Sequence, residues 1–165
     1  MFKIKLLISL LISFIVLSCT SINTTKNTAK FSLASVSGGY DGLLLYNNLD
    51  AHLRSYGMID RNSNYEIRSS IGHSTGVYIT NIDNTSNRES ITTKLAVIIY
   101  DKELNCTAYS YNNRIYQFYI YASNEKFISN KTALKKIKNE NTEELVKRFT
   151  NALMNENIKC AAKKK

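Results

Sequence analysis

Residues 91–100 read ITTKLAVIIY, and Ile91, Thr93, Leu95, Val97 and Ile99 fall on every second position. A period of two places these five side chains on one face of an extended strand. A face that apolar must be covered, so the strand demands a sheet with a second layer packed against it. Two other stretches supply candidates for that layer. Leu45, Leu49 and Leu53 recur every fourth residue, with Tyr56 three further on and Gly57 as a left-handed stop. Asp41 stands where it can cap this helix. Leu145, Phe149 and Leu153 repeat the same spacing, and Leu134 and Ile137 extend the stripe back towards residue 130. Thr142, Glu143 and Glu144 are placed to charge a local N-terminal turn favourably.

The remaining strands follow from alternation and punctuation. Residues 31–36, FSLASV, form a short candidate. Tyr65, Ile67, Ser69 and Ile71 alternate with Glu66, Arg68 and Ser70, and the pattern resumes at Val77 and Ile79. Gly72 and Gly76 between them predict a bend or bulge. Residues 81–89 are a polar hairpin loop, and DKELN at 101–105 is a turn. The return strand starts at Cys106, is interrupted by Asn112 and Asn113, and continues as IYQFYIYA over 115–122. The predicted class is α+β: a two-layer sandwich with two helices on one face of a mainly antiparallel four-stranded sheet.

The N-terminus is organised differently. Lys3 and Lys5 precede an apolar run at residues 6–17 that is too short to favour a spanning helix. It ends in Val16-Leu17-Ser18-Cys19, which has the form of a bacterial lipobox. There the cysteine thiol takes a diacylglycerol and becomes the first residue of the mature chain. The competing reading is an uncleaved anchor. Several acyl chains on Cys19 give stable attachment. By resemblance to the sorting rule for such lipoproteins, Thr20 in place of Asp implies the outer membrane; the expected location is lipid-anchored on its periplasmic side. The expected organisation is a lipoprotein signal peptide at 1–18, the lipidated cysteine and a flexible tether at 19–30, an α+β domain at 31–157 and a basic tail at 158–165.

The formal charge is +9, of which Lys3 and Lys5 carry two. A basic surface favours an anionic partner, and export to the envelope argues against nucleic acid. The absence of proline and the many asparagines also fit AT-rich coding. Cys106 and Cys160 could pair in an oxidising compartment, but connectivity is not a sequence property.

No catalytic constellation is present. His52 and His73 have no motif joining them to a nucleophile, and there is no CxxC, HExxH or phosphate-binding glycine loop. His52 beside Leu53 reads as a half-buried packing residue. The expectation is a non-enzyme with no cofactor and no metal. What remains is surface. Arg88 lies at the tip of the hairpin, Lys126 and Lys131 lie in the segment entering the last helix, and Lys135, Lys136 and Lys138 follow. Such cations suit phosphate. Tyr109, Tyr111, Tyr116, Tyr119 and Tyr121 serve sheet packing or an acyl chain.

In this layout the chain resembles the LPS-assembly lipoprotein family LptE. The resemblance runs over roughly residues 31–154. It is carried by the lipobox, LYNNLDAHLRSYG, YEIRSSI, NRESITTKLAVIIYD, YNNRIYQFYIYAS and EELVKRFTNAL. The chain departs from the family in having a polar spacer after Cys19 rather than Gly-aromatic. The resemblance implies a lipid-anchored plug within the outer-membrane β-barrel LptD, assisting barrel assembly and passing lipopolysaccharide to the cell surface. It also implies that Arg88, with Lys126 or Lys131, contacts lipopolysaccharide. The alternative is a pilot or interaction module for another outer-membrane machine.

Overall fold

The computed structural model describes residues 29–78, 88–120 and 127–160. Its elements run β1 (Ser32–Leu33), α1 (Gly39–Ser55), β2 (Tyr65–Tyr78), β3 (Arg88–Asp101), β4 (Cys106–Ile120) and α2 (Phe127–Asn155). The sheet order is β1-β2-β3-β4, with β1 parallel to β2 and the rest antiparallel. Both helices pack on one face, giving the α+β two-layer sandwich expected from the alternation.

The core is built by the predicted stripes. Leu45, Leu49 and Leu53 of α1 and Leu145, Phe149 and Leu153 of α2 are buried against Ile67, Leu95, Val97 and Ile99. Each such apolar side chain contributes roughly 1.5–3 kcal/mol on burial. Gly57 ends α1 with φ +64°. Its N–H donates to the Arg54 carbonyl at 2.8 Å, and the Met58 N–H donates to the Leu53 carbonyl at 2.8 Å. This bond pair is the Schellman arrangement, with Met58 buried beneath it.

Several local expectations are corrected. Tyr56 leaves the α1 stripe and is exposed. Asp41 does not cap α1: Gly38 is the capping residue, without a side-chain bond, and Asp41 sits in the first turn. β1 is only two residues long, with Phe31 forming an isolated bridge to Ile59. β2 is continuous, and the pairing from Tyr65↔Asp101 to Tyr78↔Arg88 has no slip at either glycine. Nor do the asparagines break β4. The Asn113 amide donates to the Tyr111 hydroxyl at 2.8 Å, and the irregularity falls between Ile99 and Tyr100 instead. α2 starts at Phe127, so Thr142 to Glu144 lie in its middle. The Thr142 hydroxyl donates back to the Lys138 carbonyl at 2.7 Å, as buried helix threonines do.

Residues 156–160, at the start of the basic tail, are tied down. Ile158 enters the core. Cys160 is bridged to Cys106, Cα to Cα 6.1 Å, across a separation of 54 residues. Cys19, Lys126 and the rest of the basic tail lie outside the described residues.

Candidate functional site

The sheet's covered face changes character along its length. From Ile99 to Leu95 it is apolar; at the next row it becomes polar. Thr93, fully buried on β3, holds this row together through its hydroxyl. That oxygen lies 2.9 Å from His73 Nδ1 on β2 and accepts from Asn141 Nδ2 of α2 at 3.1 Å. The His73 side chain is only 3% exposed, and its Nε2 stands 3.9 Å from the Asp41 carboxylate at the start of α1. Burial lowers the His73 pKa; Asp41 opposes this and Lys138 reinforces it. The cluster therefore joins both helices to the sheet around a neutral imidazole. It brings no serine or cysteine nucleophile to His73.

Above this polar row a groove of about 250 Å³ opens between the start of α1 and the first half of α2. It is lined by Tyr40, Asp41, Lys131, Leu134, Lys135 and Lys138. The lysines arise from helical spacing, since positions 131, 135 and 138 recur on one helix face. Lys135 lies 4.9 Å from the centre of the Tyr40 ring. Lys138 reaches the Asp41 carboxylate at 4.0 Å. Against three lysines the groove has one carboxylate. The first turn of α2 carries no acidic residue. Like charges at i, i+4 cost the helix roughly 0.2–0.5 kcal/mol per pair. An anionic group entering the groove would relieve this repulsion.

Lys131 thus lies on α2, not on a loop before it, and it belongs to this groove. Arg88 is the first residue of β3 rather than a loop tip, paired with Tyr78 on one side and Ile120 on the other. The ends of β2 and β4 and the start of β3 therefore coincide. The chain passes from Ile120 through the segment containing Lys126 to α2. This topology places Arg88 and Lys131 towards one end of the domain. Lys135 and Lys138 were visible in sequence as basic residues, but their pairing with Tyr40 and Asp41 is a tertiary fact. Of the tyrosines, Tyr111 packs inward on Phe149, with ring centres 5.4 Å apart, while Tyr116 is exposed.

No family model matches the sequence, and no curated protein matches it either. Solved structures do match the fold. A minor lipoprotein from Acinetobacter baumannii aligns with a TM-score of 0.60 at 15% identity, covering 80% of this chain and 95% of that one. Rare lipoprotein B from Shewanella oneidensis aligns with a TM-score of 0.60 at 9% identity, covering 77% and 93%. A protein of Caulobacter crescentus described as a lipoprotein gives 0.55 at 14% identity, covering 75% and 87%. The architecture is one that bacterial lipoproteins use, and it accounts for nearly the whole of each of them.

Proposed function

We propose that this chain is an outer-membrane lipoprotein, anchored through Cys19, that plugs and assists assembly of an LptD-like β-barrel and takes part in lipopolysaccharide transport to the cell surface. The observation that carries the reading is a lipobox followed by a domain with the fold of bacterial lipoproteins. The lysine groove supports the ligand: lipopolysaccharide is multiply phosphorylated, and several cations near one end of the domain can meet several phosphates. In this reading Lys131 contacts the ligand directly, with Arg88 and Lys126 contributing from the neighbouring chain segments. The role is non-enzymatic and needs no cofactor. The polar segments around Asn84 and Asn124, both outside the described residues, would enter the barrel lumen, which in such barrels is polar.

Affinity purification of the tagged protein from detergent-solubilised envelope tests the partner. Co-elution of a large β-barrel together with lipopolysaccharide is expected. Depletion of the protein should also lower the level of that barrel. Recovery of a secretin instead, with no lipopolysaccharide bound, would replace this reading with the pilot-module one. Cys19→Ala should release the protein from the membrane fraction. If the variant stays there and still incorporates acyl label, the anchor assignment fails.

A further inference from the structure

The face of the sheet turned away from the helices carries its own charge pattern. Register places Gly72, Lys94 and Arg114 side by side on β2, β3 and β4. Neighbouring strands are about 4.8 Å apart, so Lys94 and Arg114 stand directly opposite each other on the same face. Both are exposed. Neither takes part in an ion pair among the described residues. Like charges directly opposite in a sheet are destabilising. Among the described strand residues of this face the sole carboxylate is Glu66, three rows away, and it is held by Arg68 at 2.6 Å.

The row is also hollow. A Cβ added at Gly72 would meet nothing within 4 Å. The absent side chain leaves an open groove of about 640 Å³ bordered by Ser70, Lys94, Ala96, Asn112 and Arg114. The Ser70 hydroxyl and Asn112 amide add hydrogen-bonding groups beside the cations. Further along β4, Tyr116 and Phe118 are 49% and 52% exposed and stack edge to face with ring centres 4.7 Å apart. They lie two and four residues beyond Arg114, roughly 7 and 14 Å along the strand.

From this we infer that the helix-free face is a second ligand site, for a phosphorylated lipid whose phosphate sits between Lys94 and Arg114 over Gly72 and whose apolar part lies along Tyr116 and Phe118. Charge complementarity selects the phosphate. The adjoining aromatic ledge selects an amphiphile over a free anion, which would leave the exposed half of each ring uncovered. The site lies on the opposite layer from the lysine groove and does not depend on the barrel-plug reading.

Site-resolved NMR of the full-length chain in neutral detergent tests it, with phosphatidic acid added to the micelles. Amide shifts should appear at Gly72, Lys94 and Arg114, and should persist in Lys131→Gln/Lys135→Gln, which disables only the groove on the other layer. A Cβ at Gly72 meets nothing within 4 Å and phenylalanine suits a strand, so Gly72→Phe should keep the fold while these shifts are lost. Lys94→Gln/Arg114→Gln should weaken binding about tenfold or more, as expected when a charge-assisted hydrogen bond is lost. Tyr116→Ser/Phe118→Ser should weaken phosphatidic acid but leave inorganic phosphate unaffected. Equal shifts with diacylglycerol, which carries no phosphate, would overturn the proposal. So would inorganic phosphate binding as tightly as the lipid, or full displacement of the lipid by polyglutamate, which would make this a protein-docking face. Unchanged binding in Gly72→Phe would also sink it.

Discussion

At the end of the sheet that holds the β3–β4 turn, the chain is fastened several times over. The Asp101 carboxylate accepts from the Glu103 and Leu104 N–H groups, both at 3.0 Å. Phe31 is clamped between Met58 and Asp60 by two backbone bonds. Ile158 fills the core, and Cys106 is bridged to Cys160. At the other end, around the start of α2, the described contacts are polar and the charges conflict. His73 is buried with Nε2 lacking a hydrogen-bond partner, and the Lys131, Lys135 and Lys138 side chains crowd one helix face. The contrast makes the second end the candidate place for the proposed ligand.

The largest effect should come from unfastening the first end. A disulfide closing a loop of this length stabilises by about 4 kcal/mol on chain-entropy grounds. Cys106→Ser/Cys160→Ser should therefore lower the urea midpoint steeply, and a reductant should do the same to the wild type. The lysine groove should still bind phosphate ligand at temperatures where the variant remains folded. If the double variant is as stable as wild type, the turn end is not the stability anchor and the comparison breaks.

How far these two ends are legible in sequence differs for a physical reason. The apolar half of the covered face is visible because burial imposes a period: Leu95, Val97 and Ile99 on β3 and the leucines of α1 announce themselves. Gly57 is visible because left-handed backbone selects glycine. The interruptions are misleading. Gly72, Gly76, Asn112 and Asn113 all look like breaks, yet β3 pairs β2 and β4 without a slip at any of them and its register overrides local preference. Cys106 and Cys160 carry no sequence signal for each other, since pairing depends on where α2 delivers the chain. At the lysine-groove end, Lys131 and Lys135 are readable as cations and as helix neighbours. Tyr40 and Asp41 lie some ninety positions earlier, and only packing of α1 on α2 brings them into the groove. The hollow over Gly72 is likewise a consequence of register.

A smaller effect is expected from His73, and it sharpens the contrast through its dependence on pH. Burial lowers its pKa in the folded protein. Above pH about 6.5 the imidazole is neutral in both states and contributes no pH dependence. As pH falls below that value the unfolded chain takes up a proton that the folded chain resists, so stability must decline until the folded pKa is passed. Urea midpoints measured from pH 7.5 to 5 should fall for wild type and fall less for His73→Gln. Cys106→Ser/Cys160→Ser should retain the wild-type slope, because the bridge lies at the other end. Identical slopes for wild type and His73→Gln would remove His73 as the cause.

The smallest effect is the most diagnostic, because stability and binding should move in opposite directions. Lys131 lies in the second turn of α2, four residues before Lys135. Lys131→Glu replaces a like-charge pair by Glu followed at i+4 by Lys, the better orientation for such a pair. It also puts an acidic group near the positive end of the helix dipole. Removing a repulsion of roughly 0.2–0.5 kcal/mol and gaining an attraction of similar size should raise stability by about 0.5–1 kcal/mol. The Lys135 contact with Tyr40 is left in place, so the groove keeps its shape. Binding of a phosphate-bearing ligand should nevertheless weaken, modestly for one exposed cation. It should weaken further when Arg88→Glu and Lys126→Glu are added. High salt should shrink both changes, since exposed charges are screened over about 10 Å at 0.1 M. A lysine that lowers stability and raises affinity is retained for its ligand. If Lys131→Glu instead lowers the urea midpoint, or leaves phosphate-ligand binding untouched in low salt, Lys131 is an ordinary surface residue and the two ends of the domain differ in packing alone.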